Sequence, residues 1–156
     1  MNLRPKIALY EPDIPQNTAA IIRTCSCLGV NLEIIEPCGF IFNDKKFKRV
    51  AMDYLDEKMI RFYKSYKDFF EIKKNKKEKI ILMTTKANES YTSFNFNINH
   101  TILFGRESAG VPKEIYDKLV YKLKIPMYKK ARSLNVATSA AITVSLALNQ
   151  INYFKW

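Results

Sequence analysis

Between Thr101 and Gln150 an apolar run meets glycine, proline or small polar residues three times in fifty positions. The three stretches are Thr101-Ile-Leu-Phe-Gly-Arg-Glu-Ser-Ala-Gly-Val-Pro112, Lys122-Leu-Lys-Ile-Pro-Met127, and Arg132-Ser-Leu-Asn-Val-Ala-Thr-Ser-Ala-Ala141 leading into an apolar helix. Short apolar runs cut off in this way read as buried strands delivering their loops to one edge of a sheet. Three loops are therefore expected to converge there.

The rest of the chain fits the same plan. Lys6-Ile-Ala-Leu-Tyr10 reads as a strand, which the prolines of Glu11-Pro-Asp-Ile-Pro15 cannot continue. Asn17 or Thr18 is placed to cap a helix with apolar positions Ile21, Ile22, Cys25 and Leu28, and Gly29 to end it. A second strand at Leu32-Glu-Ile-Ile35 after that helix implies parallel pairing. A helix over 45–52, a strand over 59–63 and a helix over 65–73 are expected next. Lys79-Ile-Ile-Leu-Met-Thr84 reads as a central strand, 88–99 as irregular polar surface, and His100-Thr-Ile-Leu-Phe104 as a strand. A short helix from Pro112 to about Leu119, a strand over 121–125 and a last helix over about 136–153 complete an α/β fold with a mostly parallel sheet flanked by helices. Ligands of such sheets sit beyond the carboxyl ends of the strands.

The chain has 156 residues, the length of one compact domain. Its 26 Lys and Arg against 15 Asp and Glu give a formal net charge of +11, a field that attracts polyanions and makes nucleic acid the leading partner. Basic side chains cluster at Lys45-Lys46-Phe47-Lys48-Arg49, a candidate for phosphate contact, whereas the 73–79 run reads as a solvated helix end. Cys25, Cys27 and Cys38, with the solitary His100, do not have zinc spacing and read as buried free thiols in a reducing compartment. The N-terminus lacks the apolar core of a signal peptide, and no run approaches the roughly 20 apolar residues a spanning helix needs. A cytoplasmic location without membrane contact is expected.

Several chemistries are set aside on inventory. One histidine cannot supply a convincing Ser-His-Asp arrangement, and neither a Walker motif nor G-x-G-x-x-G is present. No metal is expected.

Read together, Asn17-Thr-Ala-Ala-Ile-Ile-Arg23, Phe104-Gly-Arg-Glu-Ser-Ala-Gly110, and Ile125-Pro-Met127 with Arg132-Ser-Leu-Asn-Val136 resemble the three motifs of the SPOUT superfamily, in its SpoU branch of RNA 2'-O-methyltransferases. Leu9-Tyr-Glu-Pro-Asp-Ile-Pro-Gln-Asn-Thr18, Ile35-Glu-Pro-Cys-Gly-Phe40, Asp53-Tyr54 and Thr84-Thr-Lys86 narrow the resemblance to the TrmL (YibK-like) family of small tRNA wobble methyltransferases. The resemblance covers nearly the whole chain. It implies a single SPOUT methyltransferase domain over 1–156, a C-terminal deep trefoil knot, a homodimer, S-adenosyl-L-methionine as cofactor, and methylation of the wobble ribose, cytidine or a modified uridine, in leucine tRNA.

Residue by residue, the resemblance places Met83, Thr84, Gly105, Glu107, Ile125, Met127, Ser133 and Leu134 at the cofactor, with Glu107 also fixing the knot loops or the partner subunit. It assigns Arg23, Ser133 and Asn135 to the catalytic centre, and RNA contact is expected of Asn17, Arg23, Lys129, Lys130 and Arg132, with Lys45 and Lys46 of the basic cluster. Gly105-Arg106-Glu107 departs from the branch, which often has Pro at the second position, and 128–131 is unusually basic. A SpoU-type enzyme acting on ribosomal RNA or another tRNA site, and a basic RNA-binding protein without catalysis, are the other classes that fit the charge and fold.

Overall fold

The computed structural model describes residues 4–42, 45, 49 and 56–154. Its elements in chain order are β1 (Lys6–Tyr10), α1 (Pro15–Leu28), β2 (Leu32–Ile35), β3 (Ile60–Tyr63), α2 (Tyr66–Asn75), β4 (Lys79–Met83), β5 (Glu89–Ser90), β6 (His100–Phe104), α3 (Lys113–Lys118), β7 (Tyr121–Lys124) and α4 (Val136–Gln150). Among the described residues seven strands form one sheet in the order β3-β2-β1-β6-β4-β7-β5. All their pairings are parallel, with Ile7 opposite Leu32 and Ile102, and Ile81 opposite Ile102 and Tyr121.

The period-two alternation of the strands divides the core between two faces. Ile7, Leu9, Ile81, Met83, Ile102 and Phe104 join the layer under α1 and α4, while Ala8, Tyr10, Ile80, Leu82 and Leu103 join the layer containing Phe69 of α2 and Ile115 of α3. β6 is buried at all five positions, which explains its uninterrupted apolar reading. α4 buries Ala140, Thr143, Val144, Ala147 and Leu148, one stripe at helical spacing. Each large apolar side chain so buried contributes roughly 1.5–3 kcal/mol.

Helix ends follow their signals with one exception. Gly29, at φ 63°, closes α1, with the Val30 N–H donating to the Cys25 carbonyl at 2.9 Å. Ser65 caps α2 by accepting from the Asp68 N–H at 3.1 Å. α1 starts earlier than expected: Pro15 occupies its first turn and Ile14 is the cap residue, without a side-chain bond. Asn17 and Thr18 lie inside the helix, and Asn17 is free to bond elsewhere. α4 stops at Gln150 because Asn152 takes the left-handed conformation, φ 55°.

Two expectations of polar surface are corrected. Lys73 is buried (1% exposed), because it lies one turn beyond Phe69 on the inward face of α2. Its ammonium reaches Glu33 Oε2 at 2.5 Å and Glu78 Oε2 at 2.6 Å, Lys6 holds the other Glu78 oxygen at 2.5 Å, and Tyr63 donates to Glu33 at 2.9 Å. Within 88–99, Phe96 is buried and the Gln150 side chain bonds the Phe96 N–H and the Phe94 carbonyl, so this segment packs onto the end of α4. The cysteines also divide: Cys25 is buried, Cys38 half-buried and Cys27 exposed. Residues two positions apart on a helix are about 200° apart around its axis, so a C-x-C pair cannot share one face. Of the expected 45–52 helix, Lys45 and Arg49 are described and helical, whereas Lys46 and the Asp53-Tyr54 pair lie outside the described residues. Among the described residues no helix is long and apolar enough to cross a membrane.

Burial works to raise the Glu78 pKa, but Lys6 and Lys73 outweigh it and bring the carboxyl down to about 2. Depression in the folded state adds stability that is present above the ordinary carboxylate pKa near 4.5 and lost as pH falls toward 2. Urea midpoints are expected to decline across that window in the wild type and to decline less steeply in Glu78→Gln. Equal slopes would refute the assignment.

Candidate functional site

β4, β6 and β7 are neighbours and parallel, so their carboxyl ends release three loops at one edge. After β4, the Thr84 N–H donates to the Leu123 carbonyl of β7 at 2.8 Å, fixing that loop's exit. After β6, Arg106 and Gly110 exchange backbone bonds of 3.1 and 2.8 Å and close a tight loop. A Cβ on Gly105 would lie 2.6 Å from Gly110 Cα, so only glycine fits there. After β7, Ile125 to Asn135 runs into α4, which Asn135 caps: its Oδ1 accepts from the N–H groups of Ala137 and Thr138 at 2.9 and 3.2 Å.

These loops and the start of α1 enclose a cavity of about 410 Å³. Its walls come from Met83, Thr84 and Thr85; from Gly105, Arg106, Glu107, Gly110 and Val111; from Ile125 and Met127; from Ser133 to Val136 with Ser139; and from Ile14 and Asn17. The apolar slot, the volume and the convergent loop backbones suit a nucleoside-sized ligand.

One chain of polar contacts binds three of these segments together. Glu107 accepts from the Asp13 N–H at 2.9 Å and from Asn17 Nδ2 at 3.3 Å, and Asn135 Nδ2 donates to Asn17 Oδ1 at 2.8 Å. Ser108 donates to Asp13, while Arg106 pairs with Glu11 at 3.4 Å and with Asp13 at 3.7 Å. Burial, then the adjacent Asp13 carboxyl, push the Glu107 pKa up; the hydrogen bond from Glu107, helped by Ser108 and Arg106, holds Asp13 down against burial. The two neighbouring carboxyls are thus pushed apart in acidity, Glu107 upward and Asp13 downward.

All eight residues assigned to the cofactor from sequence, Met83, Thr84, Gly105, Glu107, Ile125, Met127, Ser133 and Leu134, line this one cavity, as do Asn135 and Asn17. Lys129, Lys130 and Arg132 are exposed on the loop leading to Ser133, and Lys45 is exposed beyond β2. Arg23 is outside the cavity wall, on an exposed stripe of α1 with Gln16, Ala20 and Cys27. Sequence reasoning missed the pairing of Glu107 with Asp13 and of Arg106 with Glu11 and Asp13, across about 95 residues of chain, and only the departure at Arg106 hinted at it. His100 stands at the amino end of β6, away from the cavity, and accepts from the Asn97 N–H at 3.1 Å.

The family model described as SpoU rRNA Methylase matches residues 4–145. A tRNA (cytidine(34)-2'-O)-methyltransferase of Beijerinckia indica is 42% identical over 145 residues, covering 93% of this chain and 91% of its own. The protein of the same name from Escherichia coli (strain K12) is 34% identical over 149 residues, covering 94% of each. A solved structure described as giving insights into the 2-OH methylation of C/U34 on tRNA superposes with a TM-score of 0.87 at 32% identity, covering 95% of this chain and 91% of that one. The SpoU methyltransferase AviRb from Streptomyces viridochromogenes, in complex with AdoMet, has a TM-score of 0.86 at 21% identity, covering 96% of this chain and 58% of that one, a likeness of fold.

Asn135→Ala removes both the helix cap and the donor to Asn17. It is expected to lower stability by about 1 kcal/mol in urea unfolding, with most of the loss recovered in Asn135→Asp, which keeps the acceptor. An alanine variant as stable as wild type would show that the cap contributes nothing.

Proposed function

Because the chain belongs to the SpoU rRNA methylase family, we propose that it transfers a methyl group from S-adenosylmethionine to the 2'-hydroxyl of the wobble ribose, cytidine or uridine 34 of tRNA, leucine tRNA in particular. Residues 1–156 act as one SPOUT domain, with the C-terminal segment threaded into a trefoil knot, and function as a homodimer in the cytoplasm. The observation that carries this reading is the meeting of four sequence-distant segments at one cavity. The names of the relatives and of the C/U34 structure support the substrate, and the AdoMet-bound neighbour supports the cofactor.

Bound S-adenosylmethionine supplies an activated methyl on a sulfonium, so the protein's task is alignment and exclusion of water rather than covalent catalysis. Ile125, Met127 and Leu134 offer apolar walls for the adenine, and the backbone around Met83, Thr84 and Gly105 offers polar groups for its edge. The Asn17–Asn135 bond fixes α1 against α4 at the cavity, where Ser133 provides a hydroxyl for the ribose. Glu107, its carboxyl committed to Asp13 and Asn17, serves as a loop tie. Lys129, Lys130 and Arg132 hold phosphates.

Arg23 carries a guanidinium that stays protonated, which makes it a clamp for the phosphate beside the target ribose rather than a base. Since it is outside the cavity wall, it acts from α1 in a dimer packed along that helix, whose exposed stripe includes the small residues Ala20 and Cys27.

Purified chain incubated with labelled S-adenosylmethionine and total tRNA is expected to leave label as a 2'-O-methyl at nucleotide 34 after digestion and mapping. Label confined to ribosomal RNA, or none at all, would overturn the substrate. Arg23→Ala is expected to retain cofactor affinity by calorimetry while losing about 100-fold in turnover; turnover near wild type would remove Arg23 from the site.

A further inference from the structure

A second concavity opens at the same edge of the sheet, lined by Glu36, Cys38, Phe40, Ile41 and Phe42 after β2 and by Lys64 after β3. Phe40 and Phe42 stack with centroids 6.4 Å apart, and Phe62 meets Phe42 edge-on at 4.7 Å. Ile41 is 77% exposed and Phe62 41%, so this aromatic group presents apolar surface outward. Lys64 supplies a cation in the wall, against one lining carboxylate, Glu36, among the described residues.

The groove is coupled to the first cavity. The Gly39 N–H donates to the Pro12 carbonyl at 2.8 Å, and a Cβ on Gly39 would lie 2.7 Å from Asp13 Cβ. The loop after β2 therefore presses on the turn that Glu107 holds at the cavity. A strand of RNA with its ribose at the first site has this groove beside it.

We propose that the groove is a nucleobase-stacking subsite that receives an unpaired base next to the methylated nucleotide. The proposal rests on the RNA methyltransferase reading above. An unstacked base has two apolar faces, which the Phe42–Phe62 pair and Ile41 can cover, and a neighbouring phosphate, which Lys64 can neutralise. Stacking of this kind is independent of the cofactor. It adds affinity without adding to the salt dependence, which comes from phosphate contacts.

The test titrates an RNA stem-loop of the tRNA anticodon arm against wild type, Phe62→Ala and Ile41→Ser. It is repeated with RNAs made abasic at each nucleotide flanking the target, and calorimetry with S-adenosylmethionine confirms that each variant is folded. Both variants are expected to lose roughly 5- to 100-fold in RNA affinity with the salt slope unchanged, and one abasic position should weaken wild type as much while costing the variants nothing further. Wild-type affinity in both variants, or equal losses on intact and abasic RNA at every position, would overturn the subsite. So would a shifted monomer–dimer equilibrium with RNA affinity intact, which would assign the surface to a second copy. If wild type methylates the stem-loop yet shows none of these losses, only the subsite falls; if it binds the cofactor and methylates no tRNA, the functional reading falls with it.

Discussion

Parallel pairing of every strand is the constraint on which this structure depends. It sends the ends of β1, β4, β6 and β7 to one edge, so loops separated by as much as 120 residues of chain open side by side. Parallel strands must be covered on both faces, and α1 with α4 on one side and α2 with α3 on the other do so. The edge is left for loops, whose irregular backbone can meet a ligand while the strands beneath stay fixed.

Convergence alone would leave those loops slack. Glu107 prevents this by joining the β1–α1 turn to the loop after β6, while Asn17 passes the connection to the cap of α4. Arg106, paired with Glu11 and Asp13, offsets negative charge in this half-buried cluster. The site is thus held by polar contacts of its own, separate from the apolar core.

A second polar cluster sits toward the opposite edge. Lys73, Glu33, Glu78 and Lys6 form a buried network near the amino ends of the strands, remote from the cavity. Leaving either acid without its lysine would strand a charge in a low-dielectric region, so the network constrains how α2 meets the sheet. Stability at low pH and ligand chemistry are consequently controlled by different groups of residues.

The sequence by itself determined the alternation of elements, the parallel sheet and the edge at which ligands would sit, because apolar periodicity and the breakers Pro15, Gly29 and Gly105 act over a few residues. The residues that line the cavity were singled out through motif resemblance, since three loops 20 residues or more apart carry no local signal of being neighbours. What only the tertiary structure decided was pairing at long range: Glu107 with Asp13, Asn17 with Asn135, and Lys73 with two carboxylates instead of water. The physical reason is the same in each case. A side chain's local pattern sets which way it points, but whether that direction holds solvent, a partner or a cavity is fixed only when distant strands come together.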